Sequence, residues 1–68
     1  MDTSDLVSRF RYHAPDDEKI VKYSEVRNMG LDMAMKLNTM LPEGRDKALA
    51  MTKLEEAVFH ANAAIARN

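Results

Sequence analysis

The residues best suited to bind a ligand form a short run of cations and aromatic rings, Arg9-Phe10-Arg11-Tyr12-His13. The flat ring of Tyr12 can stack on a nucleobase, a contact worth roughly 1–3 kcal/mol per base in single-strand binders. The guanidinium groups of Arg9 and Arg11 match phosphate oxygens, and His13 adds a further polar ring to the same segment. In an extended arm, alternation places Phe10 on one side and both arginines on the other. A second interpretation stays open, in which Phe10 and Tyr12 are apolar anchors that close the open end of a helical hairpin.

Residue patterns typical of catalysis are missing from this sequence. It has no cysteine, no Gly-rich phosphate loop and no paired-histidine helical motif. Glu55 and Glu56 are adjacent and so diverge around a helix, which suits a solvated charged face better than an acid–base pair. His60 lies one turn from Glu56 and is interpreted as a surface or interface residue. We therefore predict a protein that is not an enzyme and that uses no metal ion and no cofactor.

Two long helices must position the remaining candidates. The segment 47–68 contains no Gly or Pro, and an apolar stripe recurs every three or four residues along it, which predicts a helix that starts near Arg45. Beside that stripe, small residues recur every seven positions at Ala50, Ala57 and Ala64 and would let another backbone come close.

The first long helix is predicted over residues 16–41. Pro15 fits a helix start, and the acidic residues that follow it favour the helix dipole. Gly30 is interpreted as a point of close packing rather than a helix end. Apolar residues occupy more than one face, and the helix would be about 39 Å long, too long for a compact monomer of this size.

The segment Leu41-Pro42-Glu43-Gly44 is predicted to be a turn, with Gly44 as the cap of a second helix over about 45–67. Such a short connection makes the helices antiparallel neighbours. The expected fold is all-α: an extended N-terminal arm (1–15) followed by one domain, a two-helix hairpin (16–68), assembled as a compact homo-oligomer.

Composition supports the oligomer and excludes several classes of protein. A chain of 68 residues buries little of its surface, cannot form disulfides without cysteine, and carries 46% apolar residues. The net charge of −1 argues against binding duplex nucleic acid. No apolar run is long enough to span a membrane, and the acidic N-terminus does not resemble a signal peptide.

Three motifs over residues 9–68 resemble the phage-encoded cyclic-nucleotide sponges, which include anti-CBASS proteins and the related anti-Thoeris sponges. The motifs are Arg9-Phe10-x-Tyr12-His13-x-Pro15, Lys22-Tyr23-x-x-x-Arg27, and Leu49-x-x-Thr52-Lys53-Leu54-Glu55-Glu56-Ala57-Val58 with Ala61-Asn62-Ala63-Ala64-Ile65-Ala66-Arg67-Asn68. The resemblance implies a helical hairpin that binds the messengers of bacterial immunity in the host cytoplasm without cleaving them. It also implies a hexamer with one pocket for cyclic dinucleotides between paired protomers and another for cyclic trinucleotides where three protomers meet.

The resemblance assigns roles to three residues of this chain. Tyr12 would stack on a base, and Arg27 would bind phosphate in the dinucleotide pocket, where some relatives have lysine. Arg67 would serve the trinucleotide pocket, although a cation in the last turn of a helix is also favoured by the dipole alone. The chain departs from the family pattern at Phe59-His60, where a bulkier aromatic pair is expected, and at Gly44, which replaces a hydroxyl cap.

Two alternative functions remain at this stage. One is a sponge for the cyclic ADP-ribose messengers of Thoeris. The other is a structural or regulatory helical oligomer that contacts a protein partner through adaptable methionines of the first helix, namely Met29, Met33, Met35 and Met40. The same methionines would otherwise fill the core of the oligomer.

Overall fold

The structure, a computed structural model, describes residues 2–11 and 15–68. These residues form three helices and no strand: α1 (Thr3–Phe10), α2 (Asp17–Met40) and α3 (Arg45–Ala66). The all-α class is therefore confirmed. Helices α2 and α3 begin and end within one residue of the predicted bounds, and they pack against each other as an antiparallel hairpin.

Helix α1 lies where the sequence predicted an extended arm. Leu6, Val7 and Phe10 are spaced three and four residues apart, which suits one helix face rather than alternation. The helix begins where the carbonyl of Asp2 accepts the backbone N–H groups of Asp5 and Leu6, at 3.1 and 3.2 Å. The backbone is extended again at Arg11, the C-cap of α1 (φ −84°, ψ 142°). The proposed alternation around Phe10 is therefore wrong, because this part of the arm is helical.

Local capping explains where α2 starts. The backbone of Asp16 is extended, and its Oδ1 accepts the N–H of Lys19 at 2.8 Å, which satisfies one of the free donors of the first turn. Asp17 and Glu18 follow and add negative charge next to the positive end of the helix dipole. Pro15 lies just before the cap, and the ring of a proline disfavours helical geometry in the residue that precedes it.

The turn between the helices ends on a glycine for a conformational reason. Gly44, the N-cap of α3, has φ 152° and ψ −176°, a backbone geometry that residues with a side chain rarely adopt. Just beyond it, the Lys47 side chain is only 9% exposed, and its ammonium donates to the carboxylate of Glu43 and to the carbonyl of Asn38 at the end of α2. This cation holds the turn against the negative end of the α2 dipole.

Helices α2 and α3 approach most closely at Gly30. A Cβ atom added there would lie 2.6 Å from Cγ2 of Val58, so only glycine fits without a shift of one helix. The prediction that Gly30 marks close packing is confirmed. At the open end of the hairpin, the ammonium of Lys19 donates to the carbonyl of Ala66 at 3.2 Å and ties the start of α2 to the end of α3.

A single hairpin leaves most of its apolar surface uncovered. No apolar side chain is fully buried among the described residues, and the radius of gyration is 15.2 Å, against about 11 Å for a compact domain of this length. Large exposed side chains occur on all three helices: Leu6, Val7, Phe10, Ile20, Val21, Met29, Leu31, Met33, Met35, Met40, Leu49 and Phe59. Ala57 and Ala64 are also exposed, so these two residues of the small-residue stripe do not face α2. None of the described helices is long and apolar enough to cross a bilayer.

Candidate functional site

An open groove of about 430 Å³ runs between α2 and α3, within the size range of small-molecule sites. Gly30 and Val58, which bring the two helices together, both belong to its lining. Most of the remaining lining is apolar, with a few polar side chains among it, which is the usual composition of a ligand pocket. The polar members are Arg27 from α2 and Glu55 and Asn62 from α3.

Arg27 is the cation of this groove. The side chain is exposed, and its Nη2 donates to the hydroxyl of Ser24 one turn earlier at 3.3 Å. No acidic side chain in the described part of the chain forms an ion pair with it. A guanidinium with most of its donors uncommitted beside an apolar groove is suited to hold the phosphate of a ligand.

The two adjacent glutamates separate as predicted. Glu56 lies 3.5 Å from the ammonium of Lys53, whereas Glu55 lines the groove and has no hydrogen bond or ion pair among the described residues. The pair therefore does not form a joint acid–base site.

Sequence reasoning missed Phe59 and Asn62 as groove residues. Phe59 is 69% exposed, and its ring meets that of His60 edge-on, with centroids 5.4 Å apart. The Oδ1 atom of Asn62 is shielded from solvent and has no hydrogen-bond partner in the described structure. The available signal was the spacing of four and three residues from Glu55 to Phe59 to Asn62, which places all three on one face of α3.

Comparison with known proteins decides the family. The family model "Acb2/Tad1, hairpin domain" matches residues 2–66, nearly the whole chain. The chain belongs to this family, the phage cyclic-nucleotide sponges. No curated protein and no solved structure matches it. The match begins seven residues before the motifs that carried the resemblance, so α1 is part of the Acb2/Tad1 hairpin domain.

The hairpin places the residues expected at the two pockets in different regions. Arg27 lines the groove, whereas Arg67 is the exposed C-cap of α3, where its backbone N–H donates to the carbonyl of Ala63 at 3.1 Å. Lys19 of α2 contacts Ala66, the residue before Arg67. Lys19 lies eight positions before Arg27, which is about 12 Å along α2. Arg27 and Arg67 are therefore separated by roughly two turns of helix along the hairpin of one chain.

The N-terminal candidates are not joined to the groove by the described residues. Arg9 lies in the last turn of α1 and Arg11 caps it, both are exposed, and neither lines the groove. Helix α1 makes no packing contact with α2 or α3 within the described part of the chain. Tyr12 and His13 lie outside the described residues. No group of His, Asp and Glu residues suited to hold a metal ion occurs among those that are described.

Proposed function

We propose that this protein is a sponge that binds cyclic dinucleotide immune messengers in the host bacterial cytoplasm without cleaving them, and so blocks CBASS-type signalling. The observation that carries the proposal is the position of Arg27 in a chain that belongs to the sponge family. Its guanidinium has no acidic partner among the described residues and lines a groove of ligand size. Phosphate oxygens are the natural acceptors for such a group.

Assembly of several copies is part of this proposal. A homo-oligomer, and by family resemblance a hexamer, would cover the apolar side chains that one hairpin leaves exposed. It would also allow Tyr12 on the arm of one copy to stack on a base whose phosphate is held by Arg27, with Arg9, Arg11 and His13 nearby. A small chain could thus enclose a charged ligand from several sides.

A second pocket, for cyclic trinucleotides, is proposed at the end of α3. Arg67 is exposed there and separated from Arg27, which supports two distinct sites. Sequestration rather than hydrolysis is supported by the family, which is a binding domain, and by the divergence of Glu55 and Glu56.

The family description favours one further candidate because it joins two branches, Acb2 and Tad1. A sponge for cyclic ADP-ribose messengers of Thoeris would use the same hairpin. The exposed methionines of α2, which are 54% to 75% exposed, keep open a third possibility, an oligomer that contacts a protein partner.

One experiment separates these functions. Titrations of the full chain by calorimetry with cyclic dinucleotides, cyclic trinucleotides and cyclic ADP-ribose isomers measure binding, and mass spectrometry of ligand released by heat measures cleavage. We expect tight binding of a cyclic dinucleotide and recovery of intact ligand. Binding of cyclic ADP-ribose alone would favour the Thoeris branch, linear products in proportion to protein would indicate a nuclease, and no binding to any ligand would reject the sponge.

A further inference from the structure

The groove holds a carboxylate that the proposed phosphate contact does not use. Glu55 lines it without an ionic or hydrogen-bond partner in the described chain, while its neighbour Glu56 is engaged by Lys53. A carboxylate is an acceptor only, and it can accept two parallel hydrogen bonds. A ligand group that contacts this carboxylate must therefore be a hydrogen-bond donor, and two adjacent N–H groups would match both of its oxygens.

The geometry of the hairpin keeps this carboxylate away from the phosphate-binding end. Gly30 of α2 contacts Val58 of α3. Because the two helices are antiparallel, Arg27, three residues before Gly30, lies roughly level with residue 61 of α3. Glu55 is six residues from that level, about 9 Å along α3. The negative charge is thus displaced from the site of the phosphate, and Phe59 lies between the two charged groups.

These positions together fit one nucleotide unit. The exposed ring of Phe59 offers a surface on which a base can stack. Arg27 on one side matches the phosphate, and Glu55 on the other side is placed to accept hydrogen bonds from the edge of the base. Among purines, guanine presents N1–H and its 2-amino group side by side, which matches the two oxygens of a carboxylate. Adenine presents the 6-amino donor beside the lone pair of N1, which repels one carboxylate oxygen.

We propose that Glu55 makes this groove selective for guanine-containing messengers, with one base of the cyclic dinucleotide on Phe59, the other base on Tyr12 and a phosphate on Arg27. The inference rests on the proposed function, since it names which cyclic dinucleotide the sponge prefers. A good bidentate contact discriminates between bases by roughly tenfold to a hundredfold. Glu55 is exposed, so changing it does not disturb the packing of α2 on α3.

The test compares cyclic di-GMP with cyclic di-AMP on the wild-type chain and on Glu55→Gln. The wild type should prefer cyclic di-GMP by about tenfold to a hundredfold. A glutamine amide offers a donor beside an acceptor, which matches the 6-amino group and N1 of adenine and also O6 and N1–H of guanine. Glu55→Gln should therefore abolish the preference for cyclic di-GMP, a result that a purely structural role for Glu55 does not produce. Glu56→Gln is the matched control and should keep the wild-type preference.

Replacing guanine by hypoxanthine, which lacks the 2-amino group, provides a second measurement on the wild type. Cyclic di-IMP should bind more weakly than cyclic di-GMP, because one of the two hydrogen bonds to Glu55 is lost. Equal binding of di-GMP and di-AMP by the wild type would overturn this inference while leaving the sponge intact. An unchanged preference in the Glu55→Gln variant would also overturn it. Loss of both ligands and of the oligomer in that variant would overturn it as well, because Glu55 would then have a structural role. No binding of any cyclic dinucleotide to the wild type would instead reject the proposed function itself.

Discussion

Replacing Gly30 by alanine tests the close approach of α2 and α3 on which the groove depends. An alanine inside a helix is favoured over glycine by about 1 kcal/mol. The new methyl group would lie 2.6 Å from Cγ2 of Val58, a stiff β-branched side chain that cannot easily move aside. Such overpacking costs roughly 1–3 kcal/mol. We therefore expect Gly30→Ala to lower the free energy of unfolding by about 1 kcal/mol, measured by urea unfolding at a fixed protein concentration.

A double-mutant cycle isolates the contact. With alanine at position 58, the nearest contact for the new methyl group is the Cβ of residue 58 at 3.9 Å, an ordinary distance. Gly30→Ala should then stabilise the Val58→Ala background by about 1 kcal/mol, so that the sign of its effect reverses. Gly44→Ala is the control: no atom lies within 4 Å of its added Cβ, and its cost comes from the backbone angle φ of 152°. Val58→Ala should not relieve that cost. A Gly30→Ala protein more stable than the wild type would refute the close approach.

Five other substitutions test the site and the assembly. Arg27→Ala and Tyr12→Ala should each weaken cyclic dinucleotide binding about tenfold to a hundredfold by calorimetry, with helicity and oligomer mass unchanged. Arg67→Ala should spare cyclic dinucleotide binding and abolish any cyclic trinucleotide binding; loss of both ligands from this variant would contradict two separate pockets. The wild type should sediment as an oligomer at micromolar concentration, and a mass of one 7.7 kDa chain would exclude the assembly. Ala57→Leu should lower the stability of the oligomer by about 1–3 kcal/mol through overpacking. Asn62→Leu should raise the free energy of unfolding by about 1 kcal/mol, because it removes a buried acceptor that has no partner among the described residues. A destabilised variant would show that Oδ1 of Asn62 does accept a hydrogen bond in the protein.

The long helices were predictable because their signals are local. The cap residue Asp16 and the turn residues Pro42 and Gly44 act within a few positions of themselves, and apolar spacing over more than twenty residues leaves little ambiguity. Helix α1 was missed because eight residues offer only two turns of pattern, and the alternating run around Phe10 fits a strand equally well over so short a span.

The candidate site was only half predictable. Arg27 was identified through family resemblance, which carries information about binding that spacing does not. Phe59 and Asn62 were missed, and Glu55 was assigned only to a solvated face, because the groove depends on how α2 and α3 are aligned, and that register is fixed by the contact between Gly30 and Val58. Spacing along α3 shows that the groove residues share a face, but it does not show which face meets α2 and which borders a groove.

The surroundings of Arg27 connect the proposed ligand binding with the proposed assembly. The next residues along the exposed side of α2 include Met29 and Leu31, both large, apolar and uncovered in a single hairpin. In the proposed oligomer, copies that cover these side chains would bring the guanidinium toward an apolar interface, and a charge there is costly unless an opposite charge accompanies it. No acidic side chain among the described residues is paired with Arg27. In the proposed oligomer, a bound phosphate would supply this negative charge, so the messenger would complete an interface that the protein alone would leave electrostatically unbalanced.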